Sequence, residues 1–157
     1  MNNTSRLLEQ ASELVSLEEF DEAFDIYNKI LEKEPKNINA LIDKGATLQR
    51  IGKNKQSIKY FEKALKVNPE NIDGLIGKGS ALHALGKFSD AISCYDTILE
   101  INSKFPVALA YKGLSLGEQG KIKDALKYFK MALVIDKDYD LAQVSKKKAL
   151  ELLKSKK

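Results

Sequence analysis

The chain has 157 residues, 43% hydrophobic and 31% charged, with a net charge of +4, the composition of one ordinary folded domain. No apolar run approaches the roughly 20 residues that span a bilayer, and the opening Met1-Asn-Asn-Thr-Ser lacks the basic and apolar regions of a secretory leader. The lone cysteine, Cys94, excludes an internal disulfide and offers no metal-binding pattern, so these features favour a cytoplasmic protein without a membrane partner.

Apolar residues then fall at helical spacing in successive pairs of segments, A and B. In residues 4–37, Leu7, Ala11 and Leu14 mark helix A; Ala23, Tyr27 and Ile30 mark helix B, which Pro35 ends. Residues 1–34 carry three bases and nine acids, so the rest of the chain is strongly basic. Helix-end chemistry accounts for this if residues 18–25 open a helix and residues 154–157 close one. The alternative is a charge dipole that steers partners or orders end-to-end assembly.

In residues 38–71, Leu41, Gly45 and Leu48 stand at i, i+4 and i+7, and Gly52 ends helix A in a left-handed conformation. Ile58, Phe61, Ala64, Leu65 and Val67 form the stripe of helix B, and Pro69 stops it. Residues 72–105 supply Leu75, Gly79 and Leu82, then Ala91, Tyr95 and Ile98. Residues 106–139 supply Leu109, Gly113 and Leu116, then Ala125, Phe129 and Ala132. A ninth helix follows over about residues 140–154, with Ala142, Leu150 and Leu153 inward and Asp138 or Asp140 as its N-cap. It carries Gln143 and Lys147 where a following helix would pack, which suits a solvating cap with a frayed basic ending through Lys157.

Gly45, Gly79 and Gly113 recur every 34 residues, as do Gly52, Gly86 and Gly120, and Tyr27, Phe61, Tyr95 and Phe129. A fixed period in this range means a stack of supersecondary units, each burying its apolar face against neighbours. The expectation is an all-α fold: an α-solenoid of four helix-turn-helix repeats and a C-terminal capping helix, one domain over residues 1–157.

This pattern resembles the tetratricopeptide repeat family over about residues 4–139. The motif's large, small and large residues, then alanine, aromatic and proline, appear as Leu41, Gly45, Leu48, Ser57, Phe61, Ala64 and Pro69. Leucine stands where the motif has tryptophan, Lys44, Lys78 and Lys112 precede its glycine in place of leucine, and Ser103 and Lys137 replace its terminal proline. The resemblance implies a right-handed superhelix whose A helices line a concave groove for a peptide or an amphipathic helix. Carried over by position, the groove takes Leu8, Ile42, Ile76, Ala110 and Val144 as an apolar stripe, with Leu114. Small residues beside it are Ser12, Ala46, Ser80, Gly77, Gly117 and Ala84; the polar edges are Glu9, Asp43, Asp73, Gln49, Arg50, His83, Tyr111 and Glu118. The family's clamp for C-terminal carboxylates needs a lysine, asparagine and arginine cluster. Its matching positions hold Leu8, Ser12, Asp43, Asp73 and Gly77, or Ile42, Ala46, Gly77, Val107 and Tyr111, so a chaperone-tail clamp is not expected.

No catalytic constellation is expected. His83 is the one histidine and has no cysteine or serine at a catalytic spacing, and Cys94 sits at a packing position. Asp136, Asp138 and Asp140 alternate like a calcium loop but lack its glycine and distal glutamate. The repeat explains every glycine, so no phosphate loop, cofactor or metal is expected. The expected function is therefore a non-enzymatic interaction module or scaffold with a protein or peptide partner. Self-association through the solenoid ends or the cap, as a homo-oligomer, is the alternative. Nucleic acid is the weaker reading, because the lysines are mixed with acids and the aromatics sit at core positions.

Overall fold

A computed structural model describes residues 3–155. Among these residues there are nine helices and no strand: α1 (Asn3–Ser16), α2 (Phe20–Lys33), α3 (Ile38–Arg50), α4 (Asn54–Val67), α5 (Ile72–Ala84), α6 (Phe88–Ile101), α7 (Pro106–Glu118), α8 (Ile122–Ile135) and α9 (Asp140–Lys154). The fold is all-α, of the helical-repeat solenoid class. It divides into two compact units, one ending at Ala81 and the other beginning at Leu82, so the division falls within α5.

The turns follow from local chemistry. Asn37 Oδ1 accepts from the Ala40 amide at 3.0 Å, and Asn71 Oδ1 from the Gly74 amide at 2.8 Å, which satisfies first-turn donors of α3 and α5. Pro106 opens α7, where its missing N–H costs no hydrogen bond. Each A helix ends on a residue of positive φ: Gly52 (77°), Gly86 (74°) and Gly120 (77°). The first pair puts Glu18 (63°) at that place, the one positive-φ residue among the described residues that is not glycine.

Unit one centres on buried Ala11, Ala23, Ile26, Tyr27, Ile30 and Ala40, with Leu7, Leu14, Phe24 and Leu31 packed around them. Phe61 of α4 lies between two glycines. A methyl group at Gly45 of α3 would stand 2.9 Å from its ring, and one at Gly77 of α5 would fall on the ring itself. Two clusters among the described residues of unit two involve α9. Leu116, Ala125, Leu126, Phe129 and Ala149 form one; Leu109, Ala110, Ala132 and Ala142 form the other. In both, α9 supplies an alanine that closes the layer. The α9 Lys-rich face stays in water, and Lys156 and Lys157 lie outside the described residues.

One series of contacts explains a departure from the family motif. Lys44 of α3 donates to Asn28 of α2 and lies 4.5 Å from the centre of the Tyr60 ring on α4. Lys112 of α7 pairs with Asp96 of α6 and lies 4.4 Å over Tyr128 of α8. Lys78 of α5 pairs with Glu62 of α4 at 3.0 Å. A lysine in place of the motif's leucine thus reaches back to the preceding B helix, and at Lys44 and Lys112 its charge also faces an aromatic ring. Burial pulls the Lys112 pKa down, but the hydrogen bonds and charges of Asp96 and Tyr128 outweigh it and leave the pKa above the ordinary lysine value.

Two expectations for α9 need correction. Its N-cap is Tyr139, with no side-chain cap bond. Asp138 instead donates its amide to Asp136 Oδ1 at 3.1 Å, an Asx turn, and Gln143 Nε2 holds the Lys137 carbonyl at 2.7 Å. Leu150 is not inward but 37% exposed. The buried stripe runs through Ala142 and Ala149, which turns Leu150 onto the flank.

Candidate functional site

In unit one the A helices α1, α3 and α5 place Leu8, Ile42 and Ile76 at equivalent points, 34 residues apart, and all three are half-buried. A methyl group at Gly74 would lie 3.2 Å from Ile42 Cδ1, so this isoleucine rests on α5 where α5 has no side chain. A hollow of about 330 Å³ opens beside the first two, walled by Leu8 and Ile42 and edged by Glu9, Asp43, Asn71 and Asp73. A second hollow of about 210 Å³ adjoins along α3, bordered by Ser12, Val15, Asp43, Ala46 and Arg50.

The rim is held in place by hydrogen bonds. Gln49 Nε2 donates to Ser80 Oγ at 2.8 Å, tying α3 to α5. Thr47 donates its hydroxyl to the Asp43 carbonyl at 2.8 Å and sits 3.4 Å from the Tyr27 hydroxyl. Arg50 approaches Glu18 at 3.9 Å and stands 5.7 Å from the Phe20 ring, which draws it toward the α1–α2 turn. Ala46 is exposed between these groups. Burial pushes the Asp43 carboxyl above the usual aspartate range, and the neighbouring charge of Asp73 pushes it further. Gly77, read from sequence as a small groove residue, instead accommodates Phe61.

The unit-two residues do not form one apolar face. Ala110 has no exposed surface: its short side chain is covered within the Leu109, Ala132 and Ala142 cluster, so it backs the layer and cannot touch a partner. Tyr111 meets Tyr95 edge-on at 5.7 Å. His83 Nδ1 lies 2.9 Å from Ser115 Oγ, and its ring meets Phe88 edge-on at 5.1 Å. These contacts make His83 a packed, hydrogen-bonded side chain. Leu114 lines a cleft of about 430 Å³ among α7, α8 and α9, together with Gly117, Glu118, Val144, Lys148 and Leu152. The sequence reading named four of these residues. It missed Lys148 and Leu152, although the 144, 148, 152 spacing is a helical one.

Among the described residues, no group of three or more His, Cys, Asp or Glu side chains is placed to hold a metal ion. No helix is long and apolar enough to cross a membrane. What the face of unit one offers chemically is shape, apolar surface and carboxylates.

The family model described as tetratricopeptide repeat matches residues 42–106 and 76–140. No curated protein matches the sequence. Among solved structures, a crystal structure of MamA superposes with a TM-score of 0.82 at 22% identity, covering 94% of this chain and 81% of that one. YrrB, described as a tetratricopeptide-repeat protein with an unusual peptide-binding site, gives 0.80 at 21% identity over 92% of this chain and 75% of its own. The first repeat domain of Spaghetti (RPAP3), bound to the HSP90 peptide SRMEEVD, gives 0.70 at 22% identity, covering 74% of this chain and 92% of that one.

Proposed function

The chain belongs to the tetratricopeptide repeat family, and we propose that it is a non-enzymatic interaction protein of the cytoplasm whose unit-one A-helix face takes up a peptide or an amphipathic helix. The observation that carries this reading is the half-exposed series Leu8, Ile42 and Ile76 at equivalent positions, of which Leu8 and Ile42 wall a hollow with a polar edge. Apolar anchors inside a polar rim are what a docked helix or extended segment requires. Asp43, Ala46, Arg50, Asp73 and Ser80 supply the rim. That YrrB and the Spaghetti domain are described with peptides supports the class of ligand.

The ligand is not a C-terminal carboxylate of the SRMEEVD kind. A clamp for such a tail needs cationic and amide donors, and the matching positions of this unit hold Ser12, Asp43 and Asp73. Two carboxylates would repel an acidic tail.

A photo-crosslinking side chain at Ala46, which is exposed inside the rim, tests the site. Captured peptide from a lysate should be crosslinked from this position and not from Val134, which is 81% exposed on α8. Crosslinking from Val134 alone would move the site off the A helices.

Self-association is a second reading, favoured by a different observation. Met131, Val134 and Ile135 of α8, and Val144 and Leu152 of α9, leave apolar surface exposed in unit two. Sedimentation of the full chain over a range of concentration decides it: a monomer throughout would exclude this second reading.

A further inference from the structure

The face in unit one has a chemical bias that its apolar series does not explain. The charged residues of α1, α3 and α5 within this unit are Arg6, Glu9, Glu13, Asp43, Lys44, Arg50, Asp73 and Lys78. Three of the four cations have a partner, although Arg50 is exposed and still borders the adjoining hollow. Lys44 is turned to Asn28 and the Tyr60 ring, Lys78 to Glu62, and Arg50 to Glu18 and the Phe20 ring. The acids remain on the face, and three of them, Glu9, Asp43 and Asp73, edge the hollow beside Leu8 and Ile42. The bias is local to this face: residues 1–34 carry nine acids against three bases, but residues 35–81 carry four acids against nine bases, so unit one as a whole is close to neutral. Burial and Asp73 both disfavour the charged form of Asp43, so a cation placed between the two carboxylates relieves a repulsion that exists in the free protein.

We infer that the occupant of this face is a basic amphipathic peptide, with Lys or Arg side chains set against Glu9, Asp43 and Asp73 and apolar side chains against Ile42 and Ile76. The inference rests on the reading of this face as a peptide site. It goes further by fixing the sign of the partner's charge, which the apolar series leaves open.

Fluorescence anisotropy with the full chain tests it, using two labelled peptides of about 15 residues that share leucines at i, i+3, i+4 and i+7. One is lysine-rich and the other glutamate-rich. The lysine peptide is expected to bind at least about tenfold tighter, and the double variant Asp43→Asn/Asp73→Asn to cut that preference to about twofold with helicity unchanged. In Ile42→Ser the affinity for the lysine peptide should fall by about tenfold or more. Equal affinity for both peptides, lost for both in Ile42→Ser, would overturn the basic partner and leave the peptide site standing. A lysine peptide whose affinity ignores Ile42→Ser would overturn both, since it would be held by surface charge elsewhere. A preference that survives in the double variant, binding of neither peptide, or a second copy of the chain competing for the face would each overturn the inference.

Discussion

Glu18 is the residue at which local chemistry and backbone geometry disagree. It adopts φ 63° where the later repeats use Gly52, Gly86 and Gly120. A side chain in the left-handed region costs about 1–2 kcal/mol. Its ion pair with Arg50, at 3.9 Å between exposed groups, returns little of that. Glu18→Gly is therefore expected to raise stability by about 0.5–1 kcal/mol after the added freedom of the unfolded glycine is counted, and Gly52→Ala to lower it by about 1 kcal/mol. Urea midpoints check both, and opposite signs would contradict the account of the turn. Asp43 makes a second residue-scale prediction. Its raised pKa means that the folded state holds this proton to higher pH than the unfolded chain does. The contribution is present in full below the ordinary aspartate value and is lost as pH rises through the raised one. Relative to the parent, Asp43→Asn should gain stability as pH rises through and above the ordinary aspartate range, read from urea midpoints at each pH. A variant whose advantage did not grow with pH would contradict it.

At the scale of the element, the lysines of the A helices and the closing helix α9 hold neighbouring helices together. Lys112 and Asp96 join α7 to α6, with Lys112 mostly buried and Asp96 partly so. A double-mutant cycle of Lys112→Ala and Asp96→Ala should give a coupling of about 0.5–1 kcal/mol. A coupling near zero would reduce the pair to a surface contact. Helix α9 covers the apolar layer of unit two through Ala142 and Ala149. Ending the chain before Asp140 should uncover Ala110, Ala132 and Phe129, lower the melting temperature and produce oligomers visible by light scattering. A truncated chain that stays monomeric and equally stable would assign α9 some task other than closing the layer. The two positions that the later A helices and α9 fill with Ala40, Gly74, Ala108 and Ala142, and with Thr47, Ala81, Ser115 and Ala149, hold Arg6 and Glu13 on α1, both exposed. Charged side chains there keep this face of α1 in water.

For the whole molecule, the sequence was most legible where one residue type recurs at one spacing. The 34-residue period and the glycine turns located all nine helices, because each repeat buries the same small and large residues. What it hid were relations between helices. Nothing local says that Lys44 meets Asn28 and Tyr60, each 16 residues away, so the lysine looked only like a departure from the motif. Position in the repeat likewise put Ala110 beside Ile42 and Ile76. Burial separates them, because an alanine does not project past its neighbours as an isoleucine does. For the proposed site, the most direct measurement uses Ile42→Ser and Ile76→Ser, each assayed twice: by melting temperature and by capture of the principal partner from lysate. Both residues are half-buried, so the melting temperature should fall by no more than about 5 °C, while capture is lost as at a binding hot spot. Full capture by both variants, or unfolding of either, would show that the isoleucines belong to the packing of unit one and that its A-helix face is not the site.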